Sequence, residues 1–348
     1  MCDERHRGVL IGCGFFAANH MHAWSEISSV TIVAVCDRDE AKARHFSEQF
    51  GCQAFTDTKV MLESMKPDFV DIATTVSSHH ALVTLAAKHT KLVICQKPFA
   101  ETLQDAAEMV RACEATGAKL VVHENFRWQK PFRHMRQLLD EGRIGPTQFL
   151  RLSFRHAFDI YARQPYLAGI ADLALTDVGL HLFDLARSLM GDIERVTCET
   201  QTLNPRVAGQ DAFQALLRFH SGAVGSIECS FYSRMEPDPF PQTLAQLEGT
   251  RGTIELLAGY ELRITSIHGV TNENCEPSVP AWGQRPWHLV QESVRAFQTH
   301  VVAVLNGAAE AAPSGAHNLE TLAVVIAATA SSRTHQTQIV KRTLEQAA

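Results

Sequence analysis

The chain has 348 residues, 45% of them hydrophobic and 20% charged. That length suggests about two domains, and the apolar content supports an ordinary core, so a mainly disordered chain is excluded. With 32 Lys and Arg against 38 Asp and Glu, a net charge of −6, there is no basic excess to neutralise phosphates, and no nucleic-acid partner is expected. Nine cysteines without a CxxC pair argue against a disulfide framework or a zinc module. Cys36 and Cys95 lie in apolar runs and read as small hydrophobes. No apolar stretch reaches the roughly 18 residues of a spanning helix, so no membrane partner is expected. The first residues carry both signs of charge before a short apolar run, unlike a signal peptide. The expected location is the reducing cytoplasm.

Short apolar runs at 8–11, 31–36, 69–74, 92–95 and 119–123 are predicted strands. Segments with helical spacing lie between them at 39–50, 80–88 and 104–116. In the last of these, Ala106, Met109, Val110 and Cys113 share one face. Strands alternating with helices predict βαβ units and a parallel sheet covered on both faces. The pattern changes near 124–146, where a short amphipathic helix carries Phe132, Met135, Leu138 and Leu139. Leu150, Leu152 and Phe154 then alternate with Arg151, Ser153 and Arg155. Further strands are predicted at 195–202, 212–219, 224–232, 243–249, 253–257 and 261–267. Consecutive strands without helices between them imply an antiparallel, open sheet. The stretch 272–286 reads as a loop, and helices at 288–306 and 317–333 close the chain.

Gly12-Cys13-Gly14-Phe15-Phe16-Ala17 follows the first strand and opens a helix. In this GxGxxA pattern the first glycine permits the tight turn and the second lets backbone approach a pyrophosphate, while the small third residue lets helix and strand pack closely. The helix N-terminus offers free N–H groups to the phosphates. A chance glycine-rich turn is the competing explanation. The strand before, the helix after and the acid Asp37 ending the second strand favour a dinucleotide. Asp37 is suited to bond the adenosine ribose hydroxyls and to repel a 2′-phosphate, which favours NAD over NADP. Arg38 beside it is able to meet a phosphate instead. The predicted architecture is α/β. Residues 1–124 form a Rossmann domain with a doubly wound parallel sheet. Residues 125–348 form an α/β domain with an open, mainly antiparallel sheet, for substrate binding and oligomerisation. Its C-terminal segment is free to pack back on the first domain. His20, His22, His79 and His80 have no carboxylate beside them in sequence, so no metal is expected.

Four landmarks, in this order, resemble the GFO/IDH/MocA oxidoreductases. They are the GxGxxA turn, Ile72-Ala73-Thr74-Thr75-Val76-Ser77-Ser78-His79, Gln96-Lys97-Pro98, and Asp177-Val178-Gly179-Leu180-His181-Leu182-Phe183-Asp184. The second departs from the family's I-A-T-P-N-x-x-H at Thr75 and Val76. The third departs from E-K-P at Gln96, which keeps a carbonyl for a ribose hydroxyl but loses a charge. Gly12-Cys13-Gly14-Phe15-Phe16, His22-Ala23-Trp24 and His123-Glu124-Asn125-Phe126-Arg127-Trp128 are similar to the family's bacterial members that oxidise D-apiose. The resemblance implies an NAD-dependent dehydrogenase acting on a sugar or polyol hydroxyl, with C1 of an apiose-like pentose oxidised to a lactone as first choice. It adds Thr74, His79, Gln96 and Lys97 to the cofactor-binding candidates Gly12, Gly14, Phe15, Phe16, Asp37 and Arg38. It also implies a cis Lys97–Pro98 bond.

Asp177, His181 and Asp184 fall on one face of a helix, with Leu173, Val178, Leu182, Leu185 and Leu189 packing inward. A solvated face with a carboxylate–imidazole pair is the plain alternative. Lys97 ends a strand, where open α/β sheets bind ligands. The family roles make His181 the base, Asp177 its orienting group or a sugar ligand, and Lys97 the holder of the reacting oxygen. Which of Lys97, Asp177 and His181 accepts the proton stays open in the sequence. Substrate-binding candidates are Lys97, Asn125, Trp128, Arg155, Arg163, Asp177, His181 and Trp287, with Tyr166, Phe158, His156 and His288 as weaker ones. An NAD-recycling glycosidase or epimerase and a non-catalytic NAD/sugar sensor are the rival functions. A homodimer or homotetramer is expected, because a large open sheet face needs cover.

Overall fold

In the computed structural model, residues 5–162 and 164–341 are described. β1 (His6–Ile11) runs into α1 (Phe15–Ser25), followed by β2 (Val30–Cys36) and α2 (Glu40–Phe50). Asp39 caps α2 by accepting from the Ala41 N–H at 3.0 Å, and Gly51, at φ +68°, ends it. β3 (Gln53–Phe55), α3 (Thr58–Met65), β4 (Phe69–Ile72), α4 (His79–Ala86), β5 (Leu92–Gln96), α5 (Leu103–Thr116) and β6 (Lys119–His123) complete the alternation. The six strands form one sheet in the order β3-β2-β1-β4-β5-β6, and every pairing is parallel. Under α1, Leu10, Cys13, Ala17, Met21, Val35 and Phe46 form a buried cluster. β3 and α3 escape the sequence reading because three and eight residues are too few to establish a period, and Gln53 and Ala54 are exposed.

α6 (Lys130–Asp140) leads to β7 (Thr147–Arg155), and a helical run leads to α7 (Leu180–Met190). β8 (Ile193–Gln201), β9 (Ala212–Phe219), β10 (Val224–Ser230), β11 (Leu244–Gly249), β12 (Gly252–Leu256), β13 (Glu261–Ser266) and β14 (Gly269–Asn274) follow. α8 (His288–Leu305), α9 (Gly315–Thr334) and β15 (Gln338–Ile339) end the described chain. The second sheet has nine strands, in the order β14-β13-β12-β11-β7-β10-β9-β8-β15. It is mainly antiparallel, but β7 and β10 pair in parallel. The excursion through α7, β8 and β9 separates these two strands, and such a crossover permits a parallel pair. β14 corrects the predicted loop at 272–286: residues 272–274 are strand, and all six of its residues are exposed, so no hydrophobic alternation marks it.

Two compact units divide the chain. Among the described residues, those up to Asn125 together with Val294–Glu320 form one, and Phe126–Ser293 with Thr321–Lys341 form the other. α8 and α9 therefore each contribute to both units. Among the described residues, no helix is long and apolar enough to cross a membrane.

His156, just beyond β7, is 1% exposed among Phe154, Phe231 and Phe240, with ring centroids 4.7–5.5 Å away. Burial drives its pKa down to about 4, against the opposing pull of Asp238 and a backbone hydrogen bond at Phe158. The folded protein holds the ring neutral, while the unfolded chain protonates it below about 6.5. Acid therefore favours unfolding through this group across the window from 6.5 down to about 4. Urea unfolding at pH 7 and pH 4 should show a stability loss in the wild type that is smaller in His156→Leu, by up to roughly 3 kcal/mol.

Candidate cofactor and substrate sites

In the first unit, strand order reverses between β1 and β4. Open α/β sheets bind ligands beyond the carboxyl ends of their strands at such a point. Gly12 follows β1 with φ +95°, and a Cβ there would lie 2.7 Å from the Ala73 carbonyl oxygen and 2.8 Å from Thr74 Cγ2. Only glycine fits. Gly14 differs: its φ is an ordinary −88°, and a Cβ there would meet nothing within 4 Å. It is the N-cap of α1 and offers no side-chain cap, so the first-turn N–H groups are left for a ligand such as a diphosphate, and the space beside Gly14 is open. The turn thus fits a dinucleotide. Phe15 is 66% exposed at its edge, and half-buried Phe16 meets His20 edge-on at 5.5 Å.

Asp37 follows β2. Its Oδ2 accepts from the Cys13 N–H at 2.8 Å and its Oδ1 from the Asp39 N–H at 2.9 Å. It ties the glycine turn to the second strand, and each oxygen keeps a lone pair for a ribose hydroxyl. Arg38 is exposed beside it. Thr74 follows β4, and its Oγ1 accepts from Ser78 Oγ at 2.8 Å. His79 is fully buried: Nδ1 lies 3.0 Å from the Pro98 carbonyl and 3.2 Å from that of Phe99, and Nε2 lies 3.2 Å from that of Thr74. Burial holds its pKa below the ordinary value although the three carbonyls and Glu101 oppose this. Its place in the fold is to join the Thr74 loop to the segment after β5.

Lys97 is the first residue beyond β5, half-buried, and its bond to Pro98 is cis. Gln96 is 8% exposed. Its Oε1 accepts from the Lys97 N–H at 2.7 Å, and its Nε2 lies 3.2 Å from His20 Nε2. The carbonyl that the sequence reading offers to a ribose hydroxyl is therefore already engaged by the main chain. His20 and Asp71 were not among the sequence candidates. The available signal was a charged residue inside the apolar run Phe69-Val70-Asp71-Ile72.

In the second unit, Ala174–Gly179 is a π-helical stretch that runs into α7. Asp177 lies in this wider turn, half-buried, whereas His181, in α7, is 4% exposed. The single straight helix of the sequence reading is corrected accordingly, and π turns recur at functional sites. The division into polar and inward faces is corrected too, because every residue from Leu180 to Arg187 is buried. This removes the solvated-face alternative for His181. Asp184 is fully buried and receives both Arg127 Nε at 2.6 Å and Arg127 Nη2 at 2.5 Å. Phe126–Trp128 forms a 3₁₀ turn, and the Phe126 ring stacks on His181 at 3.9 Å with planes 2° apart. One short turn thus grips α7 by an ion pair and a ring stack, a contact that sequence spacing did not reveal.

The remaining candidates are spread more widely. Asn125, in the first unit, is 3% exposed. Trp128 is half-buried, and its carbonyl accepts from Arg133 Nε at 2.7 Å. Arg155 lies 3.4 Å from Glu228, which Arg151 also pairs at 2.8 Å. Half-buried Trp287 stands edge-on to Phe240 and Phe158, which stack on each other at 4.2 Å. Tyr166 is 67% exposed. Arg163 lies outside the described residues. The fold also supplies His80 with carboxylates that the sequence reading did not find: ligand atoms of His80, Asp105 and Glu108 all lie within 4.8 Å of one another. His80 lies 3.2 Å from Glu108, and Asp105 accepts from the capping Thr102 hydroxyl at 2.7 Å, so these side chains sit beside a helix cap.

Residues 6–124 match the oxidoreductase family with an NAD-binding Rossmann fold, GFO/IDH/MocA, and residues 132–255 match the GFO/IDH/MocA C-terminal domain. The chain is 43% identical to a D-apiose dehydrogenase of Rhizobium rhizogenes, over 95% of this chain and 96% of the relative. It is likewise 43% identical to a D-apiose dehydrogenase of Paraburkholderia graminis, over 97% and 90%. The crystal structure of an oxidoreductase from Agrobacterium radiobacter, in complex with NAD+, L-tartaric acid and magnesium, is similar at a TM-score of 0.94 and 43% identity, covering 97% of this chain and 98% of that one.

The two glycines should separate folding from binding. Gly12→Ala should lower the melting temperature, because the added carbon collides with the Ala73 carbonyl. Gly14→Ala should melt like the wild type yet bind NAD at least about tenfold more weakly, because the added carbon enters the diphosphate space. Calorimetric melts and NAD titrations check both.

Proposed function

The chain belongs to the GFO/IDH/MocA oxidoreductases, with NAD as cofactor, and on that premise we propose that it oxidises an aldose, first an apiose-like branched pentose, at C1 to a lactone. The observation that carries this substrate class is the 43% identity to a D-apiose dehydrogenase over 95% of the chain. NAD, when bound, accepts the hydride from the carbon. In this reading, His181 takes the hydroxyl proton as the carbonyl forms, a part an imidazole commonly plays. Lys97 holds the reacting oxygen and stabilises its developing negative charge. Asp177 orients the imidazole or binds a sugar hydroxyl. Gly12, Gly14, Phe15, Phe16, Asp37, Arg38 and Thr74 hold the dinucleotide, with His79 and Gln96 shaping the loops beside it. Asn125, Trp128, Arg155, Arg163 and Trp287 supply polar and flat apolar surface for a sugar.

Asp37 at the ribose end favours NAD over NADP. A reducing, cytoplasmic setting agrees with eight described cysteines that are all free, seven of them buried. A homodimer or homotetramer agrees with apolar side chains left exposed on the second sheet, such as Leu216 at 64% and Val270 at 58%. The proposed domain division for binding and substrate is 1–124 and 125–348, with Val294–Glu320 of the C-terminal segment counted with the first unit.

A panel of aldoses and polyols with NAD and with NADP tests this reading. D-Apiose with NAD should yield reduced cofactor in large excess over enzyme. Reduced cofactor that never exceeds enzyme would point to a recycling glycosidase or epimerase, and binding without turnover to a sensor. His181→Ala should keep NAD binding and lose about 10²–10⁴ in turnover; near-wild-type turnover would remove His181 from its role.

A further inference from the structure

Asp71 interrupts the apolar strand β4 and is fully buried. A carboxylate in that position is costly unless it is hydrogen-bonded. Its Oδ2 accepts from Trp24 Nε1 at 2.8 Å and from His20 Nδ1 at 2.9 Å. His20, on α1, is also fully buried, and its other ring nitrogen lies 3.2 Å from Gln96 Nε2. At the far end, Gln96 Oε1 accepts from the Lys97 N–H at 2.7 Å.

Donors and acceptors leave one consistent assignment. The Lys97 N–H needs the amide oxygen of Gln96, so the amide NH₂ faces His20. His20 Nε2 must then be the bare, accepting nitrogen, and its proton sits on Nδ1, donated to Asp71. The ring itself is held in place. It stacks on His123 at 4.2 Å, Phe16 meets its edge at 5.5 Å, and Gln298 Nε2 donates to the His20 carbonyl at 3.0 Å.

We propose that His20 is a positioning residue for Lys97, with Asp71 fixing the ring tautomer that leaves Nε2 an acceptor. The accepting nitrogen orients the Gln96 amide, and the amide sets the main chain from which the Lys97 ammonium departs. This rests on the role given to Lys97 in the proposed function.

Two substitutions at one position divide the network. His20→Gln puts an amide oxygen where Nε2 stood, which keeps the Gln96 contact and gives up the bond to Asp71. His20→Asn puts an NH₂ where Nδ1 stood, which keeps the bond to Asp71 and leaves Gln96 without its acceptor. A network that only supports the fold would favour His20→Asn, because it keeps the buried carboxylate bonded. A positioning network predicts the reverse. His20→Asn should lose about 10²-fold in kcat on D-apiose with the Kd for NAD changed by no more than about threefold, while His20→Gln stays within about fivefold in kcat. The Lys97 amide should exchange with solvent about tenfold faster in His20→Asn than in the wild type or His20→Gln. If neither variant folds, Gln96→Met removes the amide at similar length and should show the same kcat loss and faster exchange.

Equal or reversed kcat ordering, or Lys97 exchange unchanged in His20→Asn, would overturn the inference. A wild type that oxidises no aldose would instead sink the functional reading, and the exchange measurement would still judge the network.

Discussion

The first unit depends on how closely two chain segments approach at Gly12. Strand β4 runs directly beside the turn, and its trailing Ala73 carbonyl occupies the space a side chain would need, 2.7 Å from a Cβ at position 12. With that side chain absent, α1 begins where the strand order reverses, and its first-turn N–H groups, which lack intrahelical partners, lie at the end of the sheet where open α/β folds bind ligands. The same placement decides what α1 delivers further along. Ala17 and Met21 enter the apolar cluster, while His20 and Trp24 meet Asp71 inside the unit. One turn therefore governs both the cofactor cradle and the polar network that ends at Lys97.

The second unit uses a different device. A π-helical stretch widens the helix at Asp177, and α7 is then buried on all sides through Arg187. A helix so enclosed cannot leave charged groups to water. Asp184 is matched by Arg127, and Arg187 by the Thr321 hydroxyl at 2.7 Å and Asp192 at 2.7 Å. Loss of one partner from such a pair strands a buried charge, commonly at about 3–5 kcal/mol. The pairing also has a geometric effect. It pins the Phe126–Trp128 turn, whose first ring lies flat on His181.

Buried polar groups lie beside both side chains to which the proposed reaction gives a role. Near Lys97 they are Asp71, His20, Gln96 and His79; near His181 it is Asp184, paired with half-buried Arg127. Apolar packing would stabilise either region more simply. Directional bonds constrain orientation more tightly than apolar contact does, and proton and hydride transfer are sensitive to small misplacements.

Local chemistry made much of the molecule legible. Apolar runs marked β1, β2, β4, β5 and β6; the GxGxxA turn marked the start of α1 and Asp37 the end of β2; the Asp177–Asp184 run marked the helical stretch that runs into α7. These signals lie within one element or one turn, so periodicity and turn stereochemistry are enough to show them. Tertiary structure alone decided the rest. The parallel pairing of β7 with β10 follows from a crossover, and exposed β14 leaves no hydrophobic pattern to read. His20 meets Asp71 across 51 positions and Arg127 meets Asp184 across 57. Such contacts exist only once the sheet has brought distant strands and helices side by side, because hydrogen-bond partners are chosen by distance in space and not along the chain.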